Sequence, residues 1–511
     1  MPHLYMPKKV NVAPLHANVP GVGRVGVHRC TPVKNWEQGG LHAKSGPKDH
    51  PVYMSNLRIQ ERHAIPVGLD AFEAQEVTFN LSNMMIAKAD ESDVMQFMGT
   101  CNEGGNGVRV FRGGEYEGFK LMLDAAEACG YRPMLGKSLF FGLDSAADNF
   151  YKGRGVYELD GDPNYSEERL SALYESLMYE FPLYYIEDPF ASRDEQWHKW
   201  AELTDRYGEK CHIVADDIAT TNARLVRPLI KGKIANNLLL KLNQIGSLME
   251  GWRAARTAHV AGWYTTSSHR SQSGMDTMEV EVHLALALPN EVRNLFGKWG
   301  GSNLIERANR YLYEQLAIDE FMTGAQSFEP ISPSRKIKIA MPFMAPLNTG
   351  QQTLGLRFTL DDGRIFESVV PAGTSTGETE TSIMPLDKAI PIAKDIIKEF
   401  GLIDRAVSDL PELFEFERGL LTMANREAKR QGILTDSPEP LEVFVEAETK
   451  KALGGNVHLA FGLVMNRILA ARKGLPSWLN YRLAGLEMDK SLKENPLDDN
   501  SDNEFYAFLL K

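Results

Sequence analysis

Four short apolar stretches decide the fold: PLYYIEDPF (182–190), CHIVADD (211–217), NLLLKLNQIG (237–246) and GWYTTSSHRS (262–271). Each is typical of a buried strand that runs into a polar loop, and helix-like stretches such as 166–180 and 248–260 lie between them. A strand followed by a helix, repeated roughly every 30 residues, predicts an α/β fold of the (β/α)8 barrel type. On this pattern alone, a doubly wound open sheet is the alternative.

A second unit follows the barrel pattern. The stretch TLGLRFTLDDGRIFESVVPAG (353–373) shows two alternating strands around an Asp-Asp-Gly turn, which predicts a hairpin. Helices are predicted after it at 391–399, 410–431 and 457–473. Strands followed by helices are typical of a small α+β domain.

The predicted domain boundaries follow changes in composition. EPISPS (329–334) is interrupted by prolines and predicts a linker, and ENPLDDNSDNE (494–504) is polar enough to be disordered. The predicted units are an N-terminal extension (1–31), a barrel domain (32–325), a linker (326–337), an α+β domain (338–486) and a polar tail (487–511).

Composition narrows the classes of protein. The chain has 511 residues, which exceeds one compact core, and its 43% hydrophobic and 24% charged content is that of a soluble globular protein. The net charge of -12 argues against general nucleic-acid binding, because an acidic surface repels phosphate backbones. We see no run of about 18 apolar residues, and therefore expect no membrane span.

The cysteines and the N-terminal sequence indicate the cellular compartment of the protein. The 4 cysteines have no C-x-x-C spacing, which favours reduced thiols in a cytoplasmic protein. Residues 1–36 contain no acid, as in transit peptides, but they also lack serine and are interrupted by prolines. A cytoplasmic location is therefore the expectation, with a targeting peptide as the alternative.

Three carboxylates follow the ends of predicted strands: Asp144 after SLFFGL, Glu187 after LYYI and Asp216 after HIVA. In a barrel such residues point into one mouth, where like charges repel unless a cation binds them. A set of oxygen ligands suits Mg²⁺. Taken singly, each acid is equally compatible with a helix N-cap or a loop charge.

Two lysines occupy comparable positions. Lys241 follows the apolar run NLLL, and Lys298 precedes the glycine-rich turn WGGS. Beside a cation and a second ammonium, the pKa of such a lysine should fall toward neutrality, which makes it a usable base. A salt bridge to one of the acids is the alternative.

Together these motifs resemble the enolase family. YYIEDPF, IVADD followed by TTN, LLLKLNQIGS and SSHRS resemble the barrel of that family in order and spacing. FGLDSAADNF, CNEGG, IQERHAIP and QGGLHA resemble its further barrel segments. ESVVPAGTSTGETE and LGGNVHLAFGLVMNRILAARKGLPSWLNY resemble its smaller domain, which precedes the barrel in ordinary enolases. The resemblance spans residues 32–486 and implies a circular permutation joined by residues 321–335.

The resemblance also implies an activity and a role for each site residue. It implies a phosphopyruvate hydratase, a glycolytic lyase that interconverts 2-phosphoglycerate and phosphoenolpyruvate with two Mg²⁺ ions per site. Its substrate is thus a small phosphorylated three-carbon acid. The implied metal ligands are Asp144, Glu187, Asp216 and Ser375; the implied catalytic residues are Lys241, Glu103, Glu61 and His269; the implied substrate-binding residues are His42, Arg270, Ser271 and Lys298.

Several positions depart from the family pattern. Asn102 replaces an aspartate before Glu103, and the loop between His42 and Glu61 is longer. The segment LNTGQQT (347–353) replaces one that contributes to the family's dimer interface, so a homodimer is an open expectation. A catalytically silent structural or scaffolding relative is the main alternative. A different lyase or racemase of the same superfamily is a third reading, which the SHRS and Ser375 segments disfavour.

Overall fold

The structure of the protein is a computed structural model. It describes residues 15–19, 23–27, 31–36, 56–67, 69, 71–100, 105–268, 270, 272, 294–298, 316, 320, 328–348, 350–373, 379–433, 450–492, 495–498, 501 and 504–505.

The described strands are β1 (Leu15–Val19), β2 (Gly23–Val27), β3 (Thr31–Trp36), β4 (Glu61–Pro66), β5 (Met95–Thr100), β6 (Asn106–Val110), β7 (Leu139–Asp144), β8 (Tyr151–Gly153), β9 (Val156–Leu159), β10 (Asp162–Ser166), β11 (Leu183–Glu187), β12 (His212–Ala215), β13 (Asn237–Leu240), β14 (Tyr264–Ser268), β15 (Asn294–Lys298), β16 (Ile337–Pro346), β17 (Gln352–Leu360) and β18 (Ile365–Val369). The described α-helices are α1 (Ala71–Asp90), α2 (Glu115–Ala128), α3 (Glu167–Glu180), α4 (Trp197–Tyr207), α5 (Ala223–Lys231), α6 (Leu242–Ile245), α7 (Leu248–Val260), α8 (Leu386–Glu399), α9 (Leu413–Arg430), α10 (Gly455–Lys473) and α11 (Ser477–Leu492).

Eight strands close into a barrel in the order β11-β12-β13-β14-β15-β3-β4-β7. Every residue of β11, β12 and β13 is buried, which explains why these strands are continuous apolar runs rather than alternating ones. The predicted barrel is thereby confirmed, and the open doubly wound sheet is wrong.

One strand of the barrel departs from the regular (β/α) pattern. β4 runs antiparallel to both of its neighbours, β3 and β7, whereas the other described pairs in the barrel are parallel. The first residue of β4, Glu61, consequently pairs with the last residue of β7, Asp144. Reversing this strand brings the start of β4 to the mouth where the other strands end.

The predicted helices are present with shifted ends. The helix at 248–260 is found at the predicted bounds, and α3 begins one residue late because Ser166 caps it by accepting from the backbone N–H of Arg169. Pro391 lies inside α8 instead of starting it. The remaining two predictions, 410–431 and 457–473, correspond to α9 and α10.

The second unit consists of an antiparallel sheet, β16-β17-β18, covered by helices. The predicted hairpin is confirmed, since β17 pairs antiparallel with β18 across the Asp361–Gly363 turn. α10 is buried along most of its length because it lies between this sheet and the barrel, contacting β17 and α6. The contact is close: a Cβ on Gly246, which has a positive φ of 76, would lie 2.9 Å from Gly455 Cα.

The C-terminal segment contradicts the prediction of a disordered tail. α11 continues to Leu492, and Ser501 and Phe505 are buried. The guanidinium of Arg253 lies 4.2 Å from the centre of the Phe505 ring, and Arg227 and Arg253 donate to the Ser501 hydroxyl at 3.1 and 3.2 Å. One aromatic anchor therefore holds a segment whose composition is otherwise polar.

A search of the described helices finds none that combines the length and the apolar character needed to cross a membrane.

Candidate active site

A polar cleft opens at the mouth of the barrel. Residues from the ends of several strands line it, together with one from the second unit: Gln60, Glu61, Asp144, Ala146, Asn149, Asp188, Asp216, Asp217, Lys241, Ser268, Arg270, Lys298 and Glu380. Among these described lining residues, six carry carboxylates and three carry cations, so the cleft has an excess of negative charge.

The predicted carboxylates meet around Lys298. Its ammonium lies 2.6 Å from Glu61 Oε2, 3.2 Å from Asp144 Oδ2 and 3.0 Å from Glu187 Oε1. Asp144 and Glu187 are the last residues of the adjacent strands β7 and β11, and Glu61 joins them because β4 runs the other way. Strand register alone thus gathers three acids that are far apart in sequence.

Lys241 and Asp216 form the other half of the cleft. Asp216 follows β12, Lys241 follows the neighbouring β13, and the lysine Nζ donates to Asp216 Oδ2. Gln244 donates to the second oxygen of Asp216 at 2.8 Å, and its own side-chain oxygen accepts from Thr221 at 2.7 Å. Asp216 is therefore held from two sides.

The electrostatics of the acids fit a bound cation. Burial and the charge of Asp144 raise the pKa of Glu187 well above its usual range. Burial also raises the pKa of Asp144, although Lys298 opposes the rise. Burial also acts to raise the pKa of Asp216, but the charge and hydrogen bond of Lys241, the charge of Arg270 and the hydrogen bond of Gln244 together outweigh burial and lower the pKa. Carboxylate oxygens gathered in one place are the kind of ligand that a hard divalent ion prefers.

The protein's own carboxylates raise the pKa of both lysines. Burial acts to lower the pKa of Lys241, but the charges of Asp216 and Glu187 overcome it and raise the value. The pKa of Lys298 is raised well above its usual range for the same reason, with Glu187, Glu61 and Asp144 outweighing burial. Contacts between the protein's own groups therefore favour the ammonium form, as in the salt-bridge alternative.

Two acids missed in the sequence lie beside Asp216. Asp188, Asp216 and Asp217 each offer an oxygen within 4.8 Å of the others, a second arrangement able to hold a metal. The Asp188 oxygens, however, accept the backbone N–H groups of Asp216 and Asp217, both at 3.0 Å. Asp188 therefore also holds the backbone of the two acids that follow β12. The signal for both missed acids is their place directly after a predicted strand-end acid.

Arg270 contacts the second unit. Its Nη1 and Nη2 donate to Glu380, with Nη2 lying 3.0 Å from Glu380 Oε2, and both side chains are buried. Glu380 was not predicted, because nothing local in GETETS indicates that it reaches the barrel. The second unit therefore contributes a charged residue to the cleft.

The structure places seven of the predicted site residues at this mouth: Glu61, Asp144, Glu187, Asp216, Lys241, Arg270 and Lys298. The other five lie outside the described residues: His42, Glu103, His269, Ser271 and Ser375. Their roles, and the pairing of Glu61 with Glu103, stay predictions.

Known proteins resemble this chain over the barrel. The family profile "Enolase, C-terminal TIM barrel domain" matches residues 30–312. An enolase of Corynebacterium kroppenstedtii is 32% identical over 300 residues, covering 58% of this chain and 63% of the relative. An enolase of Acidothermus cellulolyticus is 35% identical over 254 residues, with 50% and 55% covered.

An enolase of Solanum lycopersicum is 31% identical over 315 residues, covering 59% of this chain and 66% of the relative. The chain thus spans somewhat less than two thirds of the length of these curated relatives. The family profile covers more than half of the chain and the closed barrel with its acidic mouth agrees with it, so the chain belongs to the enolase family.

Proposed function

We propose that the protein is a magnesium-dependent phosphopyruvate hydratase, which interconverts 2-phosphoglycerate and phosphoenolpyruvate. The supporting observation is the meeting of three strand-end acids and two lysines in one cleft of an enolase-family barrel: Asp144, Glu187, Asp216, Lys241 and Lys298.

Asp144, Glu187 and Asp216 would hold one Mg²⁺, and Ser375 would contribute to a second. When bound, these ions would neutralise negative charge on the carboxylates and on the substrate, and would thereby lower the pKa of the neighbouring lysines. The excess of acids over cations supports this assignment.

Lys241 would take the proton from C2 of the substrate. Its present contact with Asp216 raises its pKa, so it can act as a base only when the charge of Asp216 is engaged elsewhere. Lys298 would remain an ammonium and stabilise the charge that develops at the substrate carboxylate, since it lies among Glu61, Asp144 and Glu187.

The remaining residues would handle the leaving group and the phosphate. Glu103, assisted by Glu61, would donate the proton with which hydroxide leaves C3. The residues proposed to surround the phosphate and carboxylate are His42, His269, Arg270 and Ser271. Arg270 is suited to this because a guanidinium binds phosphate through paired donors.

We further propose that the two domains are circularly permuted. The profile that matches residues 30–312 describes a C-terminal barrel, yet in this chain a sheet and helices follow the barrel. This order supports a permutation joined near residues 321–335. A glycolytic role in the cytoplasm and a possible homodimer belong to the same proposal.

A non-catalytic scaffold is the second candidate. One observation favours it: both lysines are paired with carboxylates, and each pairing raises the lysine pKa. Replacement of the family's aspartate by Asn102 points the same way.

A coupled assay for phosphoenolpyruvate formation separates the two candidates. We expect turnover that depends on Mg²⁺, and a loss of at least ~10²-fold in kcat for Lys241→Ala, the scale of general-base catalysis. Lys338→Ala is the matched control, since Lys338 is also ion-paired, to Asp404, but lies outside the cleft. A folded protein without magnesium-dependent turnover would leave the scaffold as the better account.

A further inference from the structure

Four contacts fasten the second unit to the barrel mouth on either side of residues 374–378. Before this segment, Ala372 and Gln272 exchange backbone hydrogen bonds of 3.0 and 2.9 Å. After it, the hydroxyls of Thr379 and Thr220 share a hydrogen bond of 2.8 Å, and the Thr381 N–H donates to the Gln244 carbonyl at 2.8 Å. Both ends of the segment that carries Ser375 are thus fixed to the barrel.

The fourth contact is the charged one. Arg270 donates from Nη1 to Glu380 Oε1 at 3.2 Å and from Nη2 to Glu380 Oε2 at 3.0 Å. The two side chains are only 5% and 4% exposed, so water screens the pair little. A buried bidentate pair of this kind fixes the plane of the guanidinium as well as its position.

If Glu380 were removed, Arg270 could pair with other carboxylates of the cleft. Asp216 and Asp217 are the next negative charges that act on it, and both line the same cleft. An arginine that turned to Asp216 would compete for a proposed metal ligand and would withdraw its donors from the substrate.

We propose that Glu380 is a positioning residue: it holds Arg270 through a buried bidentate ion pair, and so couples the docking of the second unit to the orientation of the phosphate-binding arginine. This rests on the proposed function, in which Arg270 binds the substrate phosphate. It assigns Glu380 a role beyond that function, because Glu380 acts through Arg270 and does not itself touch the substrate.

The direction of an affinity change tests the proposal. With inorganic phosphate as the probe and titration calorimetry in the presence of Mg²⁺, Glu380→Gln should bind roughly 10-fold more weakly, the effect of losing one charge-assisted hydrogen bond. If Glu380 only screened Arg270, removing its negative charge would strengthen phosphate binding. Tighter or unchanged binding therefore overturns the proposal.

A matched control removes a comparable pair elsewhere. Glu250 of the barrel and Lys450 of the second unit also form a buried ion pair, with side chains 4% and 5% exposed, but neither lines the cleft. Glu250→Gln should lower the melting temperature and leave phosphate affinity unchanged. An equal loss of phosphate affinity in both variants would mean that any buried pair between the units has this effect, and would refute a specific role for Glu380.

A double-mutant comparison separates this proposal from the proposed function. If Arg270→Gln retains the affinity of the wild type, the phosphate-binding role of Arg270 is wrong. If Arg270→Gln loses affinity, adding Glu380→Gln should cause no further loss, because Glu380 acts only through Arg270. A further loss of phosphate affinity contradicts the proposal. The double variant can be measured even if Glu380→Gln alone does not fold, because removing both charges leaves neither one buried and unpaired.

Discussion

The carboxylate of Asp188 holds the two residues that follow β12. It is buried, has a positive φ of 42, and accepts both the Asp216 and Asp217 N–H groups. A non-glycine residue is kept in this backbone conformation only where its surroundings demand it. Asp188 therefore positions Asp216 through its backbone and leaves the Asp216 carboxylate to other partners.

Asp188→Asn should weaken binding of Mg²⁺ by about 10-fold or more, the usual cost of losing the group that orients a metal ligand. An amide has one oxygen, and so can accept only one of the two backbone donors in the same way. The measurement is direct titration of the metal. Asp160→Asn is the control, because Asp160 also accepts one backbone N–H, from Glu115 at 2.9 Å, outside the cleft. Equal metal affinity in the two variants would contradict the positioning role.

Individual residues also show how much of the candidate site could be predicted from the sequence. Asp144, Glu187, Asp216 and Lys241 could be found because each follows an apolar run, and the end of a barrel strand is a known location in space. Lys298 could be found because it precedes a glycine-rich turn. Glu380 could not be found in this way. It reaches the cleft only through the docking of two units, and that arrangement leaves no local pattern in the sequence.

Among the elements, α7 depends on a residue from another unit. Glu417 of α9 accepts the Ser247 hydroxyl at 2.6 Å and the N–H groups of Leu248 and Met249 at 2.9 and 3.0 Å. These are donors at the start of α7 that have no partner within the helix. The helix could be predicted from its own sequence, but the acid at its N-terminus could not.

The pH dependence of stability should reveal the burial of the Glu417 carboxyl. Burial raises the pKa of the Glu417 carboxyl, so the folded protein keeps a proton that the unfolded chain releases. The stabilisation of the folded state by this bound proton is fully present below the ordinary carboxyl pKa of about 4.3, and it is lost as pH rises through the raised pKa of the folded protein. Glu417→Gln lacks it. The melting temperature of the wild type should therefore fall relative to that of the variant as pH rises. A difference in melting temperature that stays constant with pH would contradict the raised pKa of Glu417.

At the scale of the whole molecule, the chain passes from the barrel to the second unit and then returns. Tyr481 of α11 donates to the Leu248 carbonyl at 2.6 Å, and the C-terminal segment contacts α5 and α7 through Arg227 and Arg253. Polar composition predicted disorder here because it averages over residues. Composition does not show that the ring of Phe505 is fully buried and lies against Arg253.

Phe505→Ala should lower the free energy of unfolding by about 3 kcal/mol, the usual cost of truncating a buried phenylalanine. Turnover should be unchanged, since Phe505 does not line the cleft. Phe72→Ala is the control, because Phe72 is 51% exposed and its loss should cost less than about 0.5 kcal/mol. Urea unfolding of the three proteins measures the difference. Equal stability of the two variants would mean that the segment is not held by its aromatic ring.

The reversed direction of β4 has a consequence for how such a barrel can diversify. β3 ends and β4 begins at the mouth of the barrel, because Trp36 pairs with Arg62, next to Glu61. An insertion between these two strand ends would start and finish beside the cleft without altering the register with which β3 and β4 pair. The connection between Trp36 and Glu61 is therefore a place where the sequence could be exchanged to alter substrate preference while the eight barrel strands stay unchanged.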